Sequence, residues 1–140
     1  VTPEGTRKWI GPLHVSLAIF IFLCAVAFLP SPAHAMTYKQ ARKVTVAQAK
    51  RVIRKEAKRA HYGKANTAAL LWIAKHESGF HCWEKSHSGC CGLFQLSWGM
   101  SHRHHWWDPT WNTRRAIRYI RGRYGSPLKA KAFWQRHHWY

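Results

Sequence analysis

A small, mainly α-helical domain is what this sequence predicts, with one short β-like element at most, and three observations predict it. Apolar residues recur at helical spacing in four segments, following Thr45, Asn66, Asp108 and Ser126. Each of those four residues is a good helix N-cap, because its side-chain oxygen can accept from an amide of the first turn that has no partner within the helix. Gly63 and Gly125 stand where the first and third segments must stop.

The elements follow in order. Thr45 with Gln48 three residues on predicts a capping box. Val46, Ala49, Ile53, Ala57 and Ala60 then form an apolar stripe, flanked by Lys50, Arg51, Arg54, Lys55, Lys58 and Arg59. A basic helix of this kind can bind a membrane or nucleic acid, but an apolar stripe of this width more often packs on a core. Asn66 is expected to cap a second helix running to about Ser78. Residues 79–91 read as a loop rich in Gly, Ser, His and Cys. Gly92-Leu93-Phe94-Gln95-Leu96 is a short apolar segment, strand-like or a single helical turn, and Ser97 to Trp107 reads as irregular. Asp108-Pro109 opens a third helix with its core face on Ala116, Ile117 and Ile120. Ser126-Pro127 opens a fourth, to about His137.

The N-terminal part has a different character. Arg7 and Lys8 precede an apolar run densest from Leu17 to Leu29, Pro30 and Pro32 break it, and Ala33-His34-Ala35 offers the small-x-small pattern of a cleavage site. Residues 1–35 are therefore expected to be a signal peptide. Residues 36–43 are expected to be a flexible basic lead-in, and 44–140 the folded domain. The rival is an uncleaved anchor from Ile10 to Leu29, a run of about 20 residues diluted by Gly11, Pro12, His14 and Ser16. Both readings put the domain outside the cytoplasm, and cleavage leaves no stable membrane insertion.

Charge narrows the partners. Lysine and arginine number 23 against 5 acids, a formal +18. Losing residues 1–35 removes only Glu4, Arg7 and Lys8, so the excess survives. Such a field attracts polyanions. For an exported chain, anionic cell-wall polymers fit better than nucleic acid. Oxidising surroundings also predict a disulfide, in which Cys82 can pair with Cys90 or with Cys91. A zinc site near His76, His81 and His87 is the alternative, but no C-x-x-C or H-E-x-x-H spacing supports it. No metal or cofactor is expected.

Four acids fall in residues 36–140. Glu56 sits among lysines as an expected surface ion-pair partner, Glu84 in a polar loop, and Asp108 as a helix cap. Glu77 has no such role. It shares a helix face with Leu70 and Ile73, at the C-terminal turn, where the helix dipole and partial burial both disfavour its charge. A carboxyl held protonated near neutrality is what glycosidic bond cleavage needs as its general acid.

Glu77-Ser78-Gly79-Phe80, Ser86, Gly89 and Gly92-Leu93-Phe94-Gln95-Leu96 together resemble the signature of the soluble lytic transglycosylase catalytic domain. The likeness continues through Asp108-Pro109, Asn112 and Arg118-Tyr119-Ile120 to Tyr124-Gly125-Ser126-Pro127. It covers roughly Ala68 to Ala132. The resemblance implies a goose-lysozyme-like helical fold with a substrate cleft beside the Glu77 helix. It implies that Glu77 is the catalytic acid and later base, that Ser86 contacts substrate or the catalytic carboxyl, and that Gln95 lines the sugar cleft. Phe94 falls where the family has Met or another apolar residue of that cleft, and Asp108 and Asn112 match structural positions. The family often has a Tyr-Asn pair late in the domain, with the tyrosine near the acid. Phe133-Trp134 stands there instead, and Tyr140 or Tyr119 is the available substitute for the missing hydroxyl.

Phe133, Trp134 and Trp98 are expected to contribute to substrate binding. Trp106, Trp107 and Trp111 divide between sugar stacking and core packing, and the His102, His104, His105 cluster reads as exposed loop. The implied reaction cleaves the β-1,4 bond after N-acetylmuramic acid in peptidoglycan and leaves 1,6-anhydromuropeptides. The alternatives are lysozyme-type hydrolysis with Asp108 or Glu84 positioning a water, a non-catalytic wall-binding domain, and a cationic Trp-rich antimicrobial or nucleic-acid-binding protein.

Overall fold

The computed structural model describes residues 36–101 and 105–140, without the side chains of Trp98 and Ser101. The expected signal peptide at 1–35, and His102 and His104, lie outside the described residues. Six helical segments appear among those described: α1 (Tyr38–Ala41), α2 (Val46–Arg59), α3 (Lys64–Ser78), α4 (Trp98–Ser101), α5 (Pro109–Tyr124) and α6 (Pro127–His137). Among the described residues, strand pairing is limited to isolated antiparallel bridges, Lys85 with Cys91 and Cys91 with Leu96. The molecule is thus mainly helical. None of these helices is long and apolar enough to cross a membrane.

Local chemistry places most of the helix ends. Thr45 and Gln48 form the expected capping box on α2. Asp108 Oδ1 accepts from the amides of Thr110 (2.8 Å) and Trp111 (3.0 Å) at the start of α5. Ser126 caps α6 through Lys129 N. Two expectations are corrected. Residues 36–43 are not a loose lead-in. Thr37 and Gln40 build a second capping box on α1, Ala41 is fully buried, and Met36 O accepts from Trp107 Nε1 at 2.6 Å. A small buried alanine and its satisfied neighbours tie down what composition alone reads as solvated. Nor does Asn66 cap α3, whose N-cap is Gly63, three residues earlier. Asn66 Oδ1 instead accepts from Leu128 N (3.2 Å), capping the first turn of α6 across the fold.

The core joins Ile53 of α2, Leu70 and Ile73 of α3, Ile120 of α5 and Ala130 of α6 with Leu93, Phe94 and Leu96 of the intervening loop. Each large aliphatic side chain so enclosed contributes roughly 1.5–3 kcal/mol of transfer free energy. α3 packs on α2 and α6, while α5 also packs on both α2 and α6. Ala49, Ile53 and Ala57 of the α2 stripe therefore face the core, as their spacing predicts, while Val46 at its start is exposed. The helix carries one surprise. Glu56 is buried at 3% exposure and pairs with Arg114 of α5, so it is an inter-helix anchor and not a surface partner of its own lysines.

Candidate active site

α3 ends abruptly at the residue that matters. Gly79 takes the left-handed conformation (φ 59°), its amide donates to Lys75 O, and Phe80 N reaches back to Ala74 O. This is a left-handed αL stop, closed by the Gly79 amide on Lys75 O and open to glycine because it lacks a Cβ. Phe80 turns into the core at 6% exposure. Glu77, one turn before, is left half-buried at the helix end.

The loop that faces it is held by buried polar bonds. Ser78 Oγ donates to Leu93 O at 2.8 Å, joining the loop to the end of α3. Asn112 of α5 is fully buried; its Nδ2 donates to Cys91 O and Trp106 O (3.1 Å each), and its Oδ1 accepts from Phe94 N (3.0 Å). Gln95 adopts φ 44° and spends its amide hydrogens on Gly92 O (3.0 Å) and Glu84 O (3.3 Å).

A cavity of about 310 Å³ opens beside Glu77. Ser86, Ser88 and Cys90 wall it from the loop, Gln95 from the braced segment, and His138, Trp139 and Tyr140 from the C-terminal end. A second cavity of about 340 Å³ shares Cys90, Gln95 and Tyr140 with the first and continues past Ser97, Met100 and Tyr119. The pair describes a groove with Glu77 as its sole acidic wall residue among the described residues.

Burial pushes the Glu77 carboxyl above its ordinary value; a hydrogen bond from Trp134 and the nearby His76 partly oppose that rise. Trp134 Nε1 donates to Glu77 Oε1 at 2.5 Å. Its ring meets Trp72 and His76 edge-on, with centroids 5.1 and 5.2 Å away. His76 stacks on Trp72 at 3.7 Å, and its Nδ1 lies 2.8 Å from Trp72 O. An aromatic clamp therefore fixes the direction of the N–H that reaches the carboxyl. Tyr140 donates from its hydroxyl to Phe94 O at 2.6 Å, and burial, with the Glu77 charge second, holds its phenol well above the usual range.

The residues predicted from sequence divide accordingly. Glu77, Ser86 and Gln95 meet in one cavity. Ser86 Oγ lies 2.9 Å from Ser88 Oγ and accepts from Cys90 N, so it shapes the loop beside Glu77. Trp134 touches the carboxyl itself. Phe94 borders the second cavity, but its side chain is fully buried, which corrects its expected contact with substrate: it is core. Phe133 lines neither cavity and stacks among Tyr124, His137 and Trp139. The side chain of Trp98 lies outside the described residues. Trp106, Trp107 and Trp111 line neither cavity; Trp106 and Trp107 pack edge-on against Tyr38.

His138 and Trp139 were not legible as wall residues. α6 ends in a left-handed His138 (φ 60°), which folds the last residues back towards the groove. A non-glycine at that position gives no advance warning of such a reversal.

The expected disulfide is corrected too. No bond joins Cys82 to Cys90 or Cys91. Cys82 Sγ points away from the loop, 3.3 Å from Ala41 O, and burial lifts its thiol to about 11. Cys91 Sγ instead donates to Gly89 O.

Compared with known proteins, the chain matches no family model, no curated protein and no solved structure.

Proposed function

We propose that this chain is a peptidoglycan-cleaving lytic transglycosylase that works through Glu77. The observation that carries the reading is a half-buried carboxyl, its pKa raised by burial, opening on a groove that holds no second acid among the described residues. Ordinary two-carboxylate hydrolysis needs a partner acid flanking the bond. Asp108 has committed its Oδ1 to the start of α5, and Glu84 lines neither cavity. That favours a reaction in which one group is first acid and then base.

Trp134 sharpens the chemistry. An indole N–H only donates. Glu77 Oε1 therefore accepts in both protonation states, and the acidic proton belongs on Oε2. From there it passes to the glycosidic oxygen as the bond after N-acetylmuramic acid breaks. The substrate's own acetamido oxygen stabilises the cation. The carboxylate then takes the proton of the sugar's 6-hydroxyl, whose oxygen closes the 1,6-anhydro ring, so no water is consumed. Burial favours the acid form before cleavage, and the Trp134 N–H stabilises the carboxylate that results. The basic surface would hold the enzyme on an anionic wall, in keeping with an exported protein.

Digestion of purified sacculi, with mass analysis of the released fragments, tests the reading. Anhydro ends are expected. Reducing ends would make the protein a lysozyme-type hydrolase, and absence of any release from a folded sample would leave a wall-binding domain.

A further inference from the structure

A separate cavity, sharing no residue with the groove, lies between α2 and α5 and measures about 230 Å³. Its walls carry Arg59 of α2 and Arg114, Arg118 and Arg121 of α5, with Glu56 as its one acid. The α5 arginines recur at steps of four and three, which places them on one helix face. Like charges so placed repel, and a single carboxylate does not neutralise four guanidinium groups.

Glu56 has a different effect. Buried at 3% exposure, it holds Arg114 side-on, Nε to Oε2 at 2.7 Å and Nη2 to Oε1 at 3.3 Å. Arg59 Nε stands 3.8 Å from the same Oε2. Arg121 is set separately, by a bond from Nη2 to Ala60 O (3.2 Å) and by the Tyr62 ring, 5.6 Å from its guanidinium carbon. Two forks are thus oriented in advance along one edge, with their remaining N–H donors uncommitted. Pre-set forks lose less entropy on binding an anion than free side chains do.

A carboxylate lies in one plane and suits one fork. Several forks around one cavity suit a tetrahedral phosphate, which offers oxygens in several directions. The exposed Arg51, Arg54, Lys55 and Lys58 extend the positive charge along α2 beyond the cavity. A chain of repeating charges therefore fits better than a single ion.

We propose that the α2–α5 cavity binds the phosphodiester groups of an anionic bacterial envelope polymer, through the pre-set forks of Arg114 and Arg121 with Arg59 and Arg118 beside them. The envelope as source rests on the wall-directed reading above; the phosphodiester chemistry does not.

Titration with polyglycerol phosphate in low salt tests the proposal, and since nothing is cleaved, its outcome is independent of Glu77 activity. Arg59→Gln with Arg118→Gln changes two exposed side chains and leaves Arg114 to neutralise Glu56. Lys129→Gln with Arg136→Gln, both exposed on α6, makes the same change in net charge away from α2 and the cavity. The cavity pair is expected to weaken binding about tenfold and the control pair less than about twofold. Arg118→Lys, which keeps charge and loses the planar fork, is expected to weaken it about threefold, a second readout should the double variant melt early. Equal losses from both pairs would overturn the site, since only the bulk field would then be at work. Tighter, cavity-dependent binding of single-stranded DNA of matched charge would overturn the envelope source.

Discussion

At the scale of single residues, the carboxyl at position 77 is held where its charge is disfavoured. Its pKa in the folded protein lies above the unfolded value because burial disfavours the charge. The unfolded chain therefore ionises first as pH rises, and the folded state loses stability between the two pKa values. Glu77→Gln keeps an acceptor for Trp134 and never ionises. It should lower sacculus cleavage by about a hundred- to ten-thousandfold. It should also raise the melting temperature at neutral pH, with the gain vanishing in acid. A gain of equal size at every pH would show that the carboxyl is not perturbed. Trp134→Phe removes the donor that holds the carboxyl down, so Glu77 should retain its proton to higher pH. The proposed cleavage starts from the acid form, so the alkaline limb of its pH profile should move upward. An unmoved limb would mean that the indole has no hold on the acid. The sequence exposes Glu77 because its charge is misplaced on an apolar helix face. It does not expose the Trp134 contact, which spans 57 residues and depends on how α6 packs on α3.

At the scale of elements, the loop from Gly92 to Leu96 is positioned by polar bonds more than by its own regularity. Gly92 sits at φ 79°, and a Cβ there would collide with the Asn112 amide and lie 2.6 Å from Trp106 O. Both are held in place, the amide by three hydrogen bonds and the carbonyl by one of them. Gly92→Ala should therefore cost about 2–4 kcal/mol in chemical denaturation, and groove activity should fall with it. A loss below about 0.5 kcal/mol would show that the loop relaxes freely. The helices themselves were legible because capping is local: Thr45, Asp108 and Ser126 all act within three residues. Asn66 misled for the same reason. Its side chain has the chemistry of a cap, and only the packing of α6 against α3 decides which helix receives it.

At the scale of the whole molecule, a domain of this size with no disulfide among its described residues must rest on its core. The hydrophobic cluster joins α2, α3, α5, α6 and the groove loop, with α1 added through Ala41. Reducing agent should consequently leave the melting temperature unchanged, as differential scanning calorimetry can check. A drop of several degrees would reveal a bridge involving Cys82, Cys90 or Cys91. The charge excess acts at this scale as well, since exposed cations are screened within about 10 Å at 0.1 M salt.

Periodicity, caps and charge are written residue by residue, so the sequence alone determined a mainly helical chain, most helix boundaries, the cationic character and the singular position of Glu77. Pairings distant in the chain are settled only when the helices pack, because the same side chain can satisfy several partners. Tertiary structure therefore decided that Glu56 binds Arg114, that Tyr140 returns to Phe94 O, that Phe94 is core, and that Trp134 holds the acid.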